Sequence, residues 1–217
     1  MNIREIFTPL NIVLILLLVA TTIAGFILIP AGTLLPVHWG ISGEPDNFLP
    51  REWALLLLPA IALGTMAILV FAAQSGARER AGAKHAIGAL IPAFLGLFLA
   101  ITIATVMIGT GMEVDMVRIV VIGVGVLFAV LGNVLPKTQP NAVAGIRLPW
   151  TLNDPRNWQA THRLGGVLTL VGGVVIVVAA LLTAHPVTLL IVLGLGVLLP
   201  LVATILYSYR LSHRSQD

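Results

Sequence analysis

Six long apolar runs constrain this 217-residue chain more than any other feature of its sequence. A helix of about 20 residues, at about 1.5 Å per residue, crosses the roughly 30 Å hydrocarbon layer of a bilayer. The runs occupy residues 10–29, 54–73, 86–109, 117–135, 164–184 and 187–207. They predict an all-α, polytopic integral membrane protein with about six transmembrane helices.

Composition supports this class. Hydrophobic residues make up 58% of the chain and charged residues 10%, whereas soluble proteins average roughly 45–50% and about 25%. The absence of cysteine excludes disulfides, thiolate metal sites and cysteine catalysis.

The first run exceeds the roughly 7–15 apolar residues of a signal peptide, so we interpret it as an uncleaved span. Cleavage near Ala31 is the alternative.

The distribution of positive charge predicts the orientation. Loops rich in Lys and Arg stay in the cytoplasm. Arg51 and Arg118 fall on one side of the six spans. The other side carries Arg4, Arg78, Arg80, Lys84, Lys137, Arg147, Arg156, Arg163, Arg210 and Arg214. Both termini are therefore expected inside the cell (N-in/C-in), and the loop at residues 30–52 outside.

That outer loop combines a Gly-Glu-Pro-Asp turn with aromatic residues typical of headgroup depth, and we interpret it as an interfacial loop. Its candidate functional residues are His38, Trp39, Gly43 and Asp46. As an alternative, His38, Glu44 and Asp46 converge on a cation or polar ligand. Two further carboxylates, Glu113 and Asp115, are interpreted as exposed charges of a turn.

The longest polar interval, residues 132–166, is expected on the cytoplasmic side. Its prolines rule out a continuous helix, so we expect a shaped loop with no obvious element before Asp154. Asp154-Pro155 is typical of a helix start. If that helix continues into the fifth span, Trp158, Thr161, His162 and Gly165 share one face. Asn133 is expected to satisfy backbone groups freed by the turn that follows it.

Less specific interpretations apply to the same residues. Trp150 and Trp158 fit an aromatic belt, and Arg147 and Arg163 fit interfacial snorkelling. His162 fits a hydrogen-bonded residue at a helix entry.

Within the spans, no ionisable side chain lies in the middle of an apolar run, which disfavours an ion-coupled transporter. Gly125, Gly132 and the pairs at 165–166 and 172–173 predict tight packing of the fourth and fifth spans. A groove or dimer face is the alternative use of these glycines. Pro200 predicts a kink in the last span.

The polar interval also carries a long ordered motif. Its residues are Gly132-Asn133, Leu135-Pro136-Lys137, Pro140-Asn141, Gly145-Ile146-Arg147, Pro149-Trp150-Thr151-Leu152, Trp158 and Thr161-His162-Arg163. This motif resembles the signature of the SdpI-like family. Pro36, His38, Trp39, Gly43, Pro45 and Asp46 resemble the small domain of unknown function that often precedes it. The implied organisation is an N-terminus (1–9), that domain (10–60), spans two and three (61–116), an SdpI-like region (117–207) and a tail (208–217).

The resemblance implies a protein of the bacterial cell membrane that gives immunity to a membrane-active toxic peptide. It further implies signalling by sequestering a cytoplasmic ArsR-type repressor, with the lipid bilayer and the peptide as other partners. It brings no established catalytic set, so we expect no enzyme, cofactor or metal. The motif residues carried over as functional candidates are Asn133, Pro136, Lys137, Asn141, Gly145, Arg147, Pro149, Trp150, Thr151, Trp158, His162 and Arg163.

Two other functions stay open. A small-molecule transporter or binding protein would need a polar cavity between spans. A membrane enzyme acting on lipid or peptide would need a catalytic motif, and the chain has no HExxH, GxSxG or P-loop pattern. Direct nucleic-acid binding is excluded, since the cytoplasmic charge is dispersed over short loops beside the membrane.

Overall fold

The computed structural model describes residues 3–74, 77–141 and 144–214. The elements in chain order are α1 (Ile3–Ile6), α2 (Pro9–Leu28), β1 (Leu34–Trp39), β2 (Pro45–Pro50), α3 (Arg51–Gln74), α4 (Ala77–Gly109), α5 (Met116–Val134), a 3-10 turn (Leu135–Lys137), α6 (Pro149–Asn153), α7 (Pro155–Leu182) and α8 (Pro186–Arg214). Six of them, α2, α3, α4, α5, α7 and α8, are long and apolar enough to cross a membrane. The predicted six-span, all-α class is confirmed.

Local signals in the sequence set where several spans begin. The Thr8 hydroxyl accepts a hydrogen bond from the Asn11 N–H (3.2 Å) at the start of α2. The Asp115 carboxylate accepts one from the Arg118 N–H (2.9 Å) at the start of α5. Asp154 caps α7 by accepting from the Arg156 N–H (2.8 Å), as the Asp-Pro pair predicts.

The spans form two groups of three. Helices α2, α3 and α4 enclose a buried apolar cluster that includes Leu18, Ala62 and Ile91. Helices α5, α7 and α8 enclose a second cluster around Ile176 and Leu189. Packing between α4 and α5 joins the two groups.

Glycines bring α5 and α7 into backbone contact at two levels. A Cβ added to Gly132 would lie 2.6 Å from the Gly166 carbonyl oxygen, and one added to Gly173 would lie 2.5 Å from the Gly125 oxygen. No side chain fits such gaps, so the predicted tight packing of the fourth and fifth spans is confirmed. Gly172 makes a similar approach to Gly196 of α8.

The polar loop at residues 30–52 differs most from the sequence prediction. Residues expected to form an irregular interfacial loop form the antiparallel hairpin β1–β2, with Leu35 opposite Leu49 and Pro36 opposite Phe48. Gly43 turns the chain with a φ of 85°, which a glycine adopts without strain. Leu35 is buried among residues of α2, α3 and α4, and this burial anchors the hairpin to the spans.

Two helices extend beyond their expected spans. Helix α4 begins at Ala77, so most of the expected basic connector at residues 74–85 is helical. Helix α8 continues to Arg214 and includes most of the expected tail. The kink at Pro200 stays a prediction. The side chains of Arg4, Arg78, Arg80, Lys84 and Arg214, which contribute to the predicted orientation, lie outside the part of the chain described at side-chain level.

Candidate functional site

The motif forms a buried cluster at the start of α7. Trp158, Thr161 and His162 have no exposed surface, and Gly165 is buried on the same face. The rings of Trp158 and His162 stack, with centroids 3.9 Å apart and planes inclined by 19°. The predicted shared face is therefore confirmed. For Trp158 the aromatic-belt interpretation is wrong, because a belt residue exposes its ring to the headgroups.

Both ring nitrogens of His162 are engaged with backbone. Nδ1 lies 2.8 Å from the Trp158 carbonyl oxygen, and Nε2 lies 2.9 Å from the Ile146 backbone nitrogen. Since the Ile146 N–H can only donate, Nε2 accepts and Nδ1 carries the proton that reaches Trp158. The interpretation of His162 as a hydrogen-bonded helix-entry residue is confirmed. In this arrangement neither nitrogen is available to a metal or to a proton-transfer reaction.

Gly145 lets the loop approach this ring pair. Its φ is 120°, in the region that glycine favours. A Cβ at this position would overlap with the His162 ring and lie 3.0 Å from Cη2 of Trp158. The loop backbone can therefore lie against the two rings only where residue 145 has no side chain.

Two more bonds hold the loop to the helices. Trp158 Nε1 donates to the Thr138 carbonyl (3.1 Å), and the hydroxyl of fully buried Thr151 donates to the Ile146 carbonyl (2.7 Å). That hydroxyl also accepts from the Leu148 N–H (2.9 Å), which fixes the first turn of α6. The interval expected to lack elements before Asp154 thus contains the short helix α6 and the 3-10 turn.

Asn141 organises the middle of the loop. Its side-chain oxygen accepts from the Ala144 N–H (2.7 Å), and its amide donates to the Gln139 carbonyl (2.7 Å). Ala144 packs against the apolar cluster between α2, α3 and α4. The loop therefore touches both groups of spans.

A second set of bonds ties the motif to α8. The Asn157 amide donates to the Ser208 carbonyl (3.0 Å) and the Asn157 oxygen accepts from Thr161 (2.8 Å). Trp150 Nε1 donates to the Ser208 hydroxyl (3.1 Å), and its ring meets Tyr209 edge-on. Asn157 and Ser208 were not among the residues predicted to be functional. The spacing of Asn157, four residues before Thr161 on the same helix face, is a signal that could have identified it.

The other motif residues lie at the surface or turn away from the cluster. Pro136 packs against α7, since a Cβ on Gly166 would lie 2.6 Å from its Cγ. Asn133 is exposed in a groove between α5 and α7. The expectation that its amide satisfies the turn is wrong: the Thr138 hydroxyl donates to the Leu135 carbonyl there (2.7 Å). Lys137, Arg147, Pro149 and Arg163 are exposed.

On the opposite face, His38 Nδ1 lies 2.5 Å from an Asp46 carboxylate oxygen across the hairpin. Both side chains are more than half exposed. Among the described residues, no three His, Cys, Asp or Glu side chains are placed to hold a metal ion. In the part of the chain that the structure describes, His38, Glu44 and Asp46 thus do not form a three-residue metal site. Binding of a polar ligand by these residues stays a prediction. Trp39 and Glu44 line a cavity beside the hairpin.

The fold and the site define a multi-pass membrane protein. At one end of its bundle, hydrogen bonds of the polar motif join the motif loop, α6, α7 and α8, and we call this bonded unit the clamp. Residues 137–208 match the model of the SdpI/YfhL protein family, and residues 13–63 match that of the Domain of unknown function (DUF1648). The chain is 26% identical over 176 residues to "Immunity protein SdpI" of Bacillus subtilis (strain 168), covering 81% of this chain and 82% of that protein. No solved structure matches the chain significantly.

These matches confirm the resemblance to the SdpI-like family and identify a multi-pass protein of the cell membrane. The predicted domain boundaries and the functional roles of the motif residues stay predictions.

Proposed function

We propose that this protein protects its own cell against a membrane-active toxic peptide, acting as an immunity protein within the membrane. The observation that carries the proposal is the similarity to "Immunity protein SdpI", which extends over four fifths of both chains. The motif geometry is compatible with this role. Its buried polar groups bond to one another and to the loop backbone, as expected of a structural clamp.

Transport is supported less well. The grooves between α4 and α5 and between α7 and α8 are lined by aliphatic side chains, glycine and proline. A third groove, between α5 and α7, adds only Asn133 to an aliphatic lining. A carrier for a polar solute would require polar groups converging between spans.

An enzymatic role is also supported less well. His162, the strongest candidate for acid–base chemistry, has both ring nitrogens bonded to backbone. A general base must reach the proton that it abstracts. We therefore propose a function without catalysis.

The orientation belongs to the proposal, with both termini and the motif in the cytoplasm. Arg51 and Arg118, the two cations predicted outside, have structural roles that account for their position. Arg51 Nη1 donates to the Ile29 carbonyl at the end of α2 (2.6 Å), and Arg118 Nε donates to the Ala180 carbonyl near the end of α7 (2.6 Å). Each cation satisfies carbonyls that a helix end leaves without partners.

Signalling through a cytoplasmic repressor is a further part of the proposal. The exposed cations Lys137, Arg147 and Arg163 surround the clamp on the face assigned to the cytoplasm. Such a surface suits an acidic patch of a soluble partner or the phosphates of lipid headgroups. The proposed immunity does not depend on this step.

Deletion of the gene tests the immunity directly. A deletion strain and its complemented parent are grown with a panel of membrane-depolarising peptides that ranges from anionic to cationic. At least one peptide should inhibit the deletion strain at a several-fold lower concentration, and complementation should restore resistance. Equal sensitivity of both strains to every peptide would overturn the proposed function.

A further inference from the structure

We propose that a cavity on the hairpin face binds a cationic amphipathic peptide, and that this is where the toxic peptide of the proposed function first docks. The cavity encloses about 750 Å³. It lies between the β-hairpin, the turn from α4 to α5 and the turn from α7 to α8. On the proposed orientation it opens outside the cell.

The hairpin tip contacts the second group of spans at the edge of the cavity. A Cβ on Gly43 would lie 3.1 Å from the Cβ of Pro186, the first residue of α8. The base of β1 is anchored to the first group through buried Leu35. The hairpin thus bridges the two groups of helices and forms one wall of the cavity.

The lining combines apolar and acidic groups. Apolar surface comes from Pro36, Ile108, Met116 and Val117, together with the half-buried Trp39. Acidic surface comes from the exposed side chains of Glu44, Glu113 and Asp115, which belong to two different outer segments. None of the described residues that line the cavity is Lys or Arg.

The cation of α5, Arg118, makes its side-chain hydrogen bonds to backbone carbonyls of α7. Arg118 directs its Nε to the Ala180 carbonyl (2.6 Å) and its Nη2 to the Leu181 carbonyl (2.9 Å), at the end of α7. These donor groups of Arg118 are therefore engaged at the end of α7. The cavity keeps an acidic lining beside apolar walls.

This chemistry selects one kind of occupant. An acidic cleft with low-dielectric walls concentrates cations, and Trp39 adds an aromatic face on which a Lys or Arg can stack. A volume of this size accommodates several side chains at once. Cationic amphipathic peptides lie in the membrane interface with apolar and basic groups side by side. Such a peptide reaches the cavity without leaving the interface and matches both parts of its lining.

Direct binding tests the proposal. The probe is a fluorescent 18-residue helical peptide of Leu and Lys, and the control probe replaces each Lys with Glu. The protein is held in nanodiscs of zwitterionic phosphatidylcholine, and binding to empty nanodiscs is subtracted. The double variant Glu44→Gln/Glu113→Gln removes two carboxylates from the cavity. The control variant Glu52→Gln removes a single carboxylate outside the cavity, from the partly buried ion pair with Arg51.

We expect the Leu/Lys peptide to bind wild type and Glu52→Gln alike, and the double variant roughly tenfold more weakly, since exposed ion pairs are each worth up to a few-fold in affinity. Added salt should weaken wild-type binding more than binding to the double variant. Monodisperse elution of each variant on size exclusion confirms its fold. Equal binding by the double variant, equal binding of the Glu probe, or displacement of the peptide by micromolar Ca²⁺ would overturn the proposal.

The same variants separate this inference from the proposed function on which it rests. If deletion sensitises cells but the double variant restores full resistance, the docking site is wrong and immunity stands. If deletion has no effect while the cavity still binds the Leu/Lys peptide through its carboxylates, immunity is wrong and the binding site stands.

Discussion

At the scale of single residues, the buried face of α7 that carries Trp158, Thr161 and His162 holds the motif loop, since Trp158 and His162 both bond to the loop backbone. Helical spacing alone places them together, and the structure buries all three. The partner of His162 could not be predicted, because the Ile146 N–H lies sixteen positions away and every residue except proline has a backbone N–H. Sequence patterns indicate that a buried imidazole needs partners but do not specify which backbone groups serve.

Replacing His162 with Phe should keep a ring stacked on Trp158 while leaving the Ile146 N–H without its acceptor. A buried donor left unpaired costs about 1–3 kcal/mol. For a chain of 217 residues that corresponds to a fall in melting temperature of roughly 2–12 °C, measured by fluorescence-detected size exclusion in detergent. Arg163→Ala, at the neighbouring exposed position, is the control and should change the melting temperature by about 1 °C or less. An unchanged melting temperature for the Phe variant would show that the bond to the loop contributes little.

At the scale of helices and strands, the sequence predicted contacts better than boundaries. The glycines of α5 and α7 indicated their close approach, because small residues at helical spacing have few other uses inside a membrane. The hairpin was not predicted. Its strands have six residues each and contain Pro36, Pro45 and Pro50, which are usually taken as loop signals. Both strands of a two-stranded hairpin are edge strands, and an edge strand tolerates proline. Burial of Leu35 adds stability to the hairpin, and the periodicity of the sequence does not reveal it.

Gly132→Ala should push α5 and α7 apart, since the added carbon would lie 2.6 Å from the Gly166 carbonyl oxygen. We expect a loss of about 1–3 kcal/mol, as for other overpacked interiors. Gly88→Ala in α4 is the matched control, because nothing lies within 4 Å of its added carbon. That change should be neutral or stabilise by up to about 1 kcal/mol through helix propensity. Equal melting temperatures for the two variants would contradict backbone contact between the spans.

At the scale of the whole molecule, apolar run length and composition were sufficient to predict six spans. The contact between the motif loop and the first group of spans was not predictable. It is made by Ala144, which lies in the polar interval of the sequence. The proposed orientation places this loop in the cytoplasm and the acidic cavity outside. A toxin that arrives from outside would then meet the hairpin first, and the clamp would keep the helices beneath it in register.

The orientation can be tested because the chain contains no cysteine. Single cysteines are introduced at Ile41, which is 72% exposed beside the hairpin turn, and at Gln139, which is exposed in the motif loop. A membrane-impermeant maleimide should label Ile41→Cys in intact cells and Gln139→Cys only after permeabilisation. The reverse pattern would invert the assigned topology and place the acidic cavity inside the cell.

The proposed immunity is tested most directly by the membrane potential of cells exposed to a peptide to which the deletion strain is sensitive. A voltage-sensitive dye should report depolarisation in cells without the protein and a maintained potential in cells that produce wild type. Trp150→Ala breaks the bond from α6 to Ser208 and should lose most of the protection at equal expression, whereas Trp53→Ala, at a position 68% exposed, should protect fully. Equal depolarisation with and without the protein would contradict immunity, and full protection by Trp150→Ala would contradict the role assigned to the clamp.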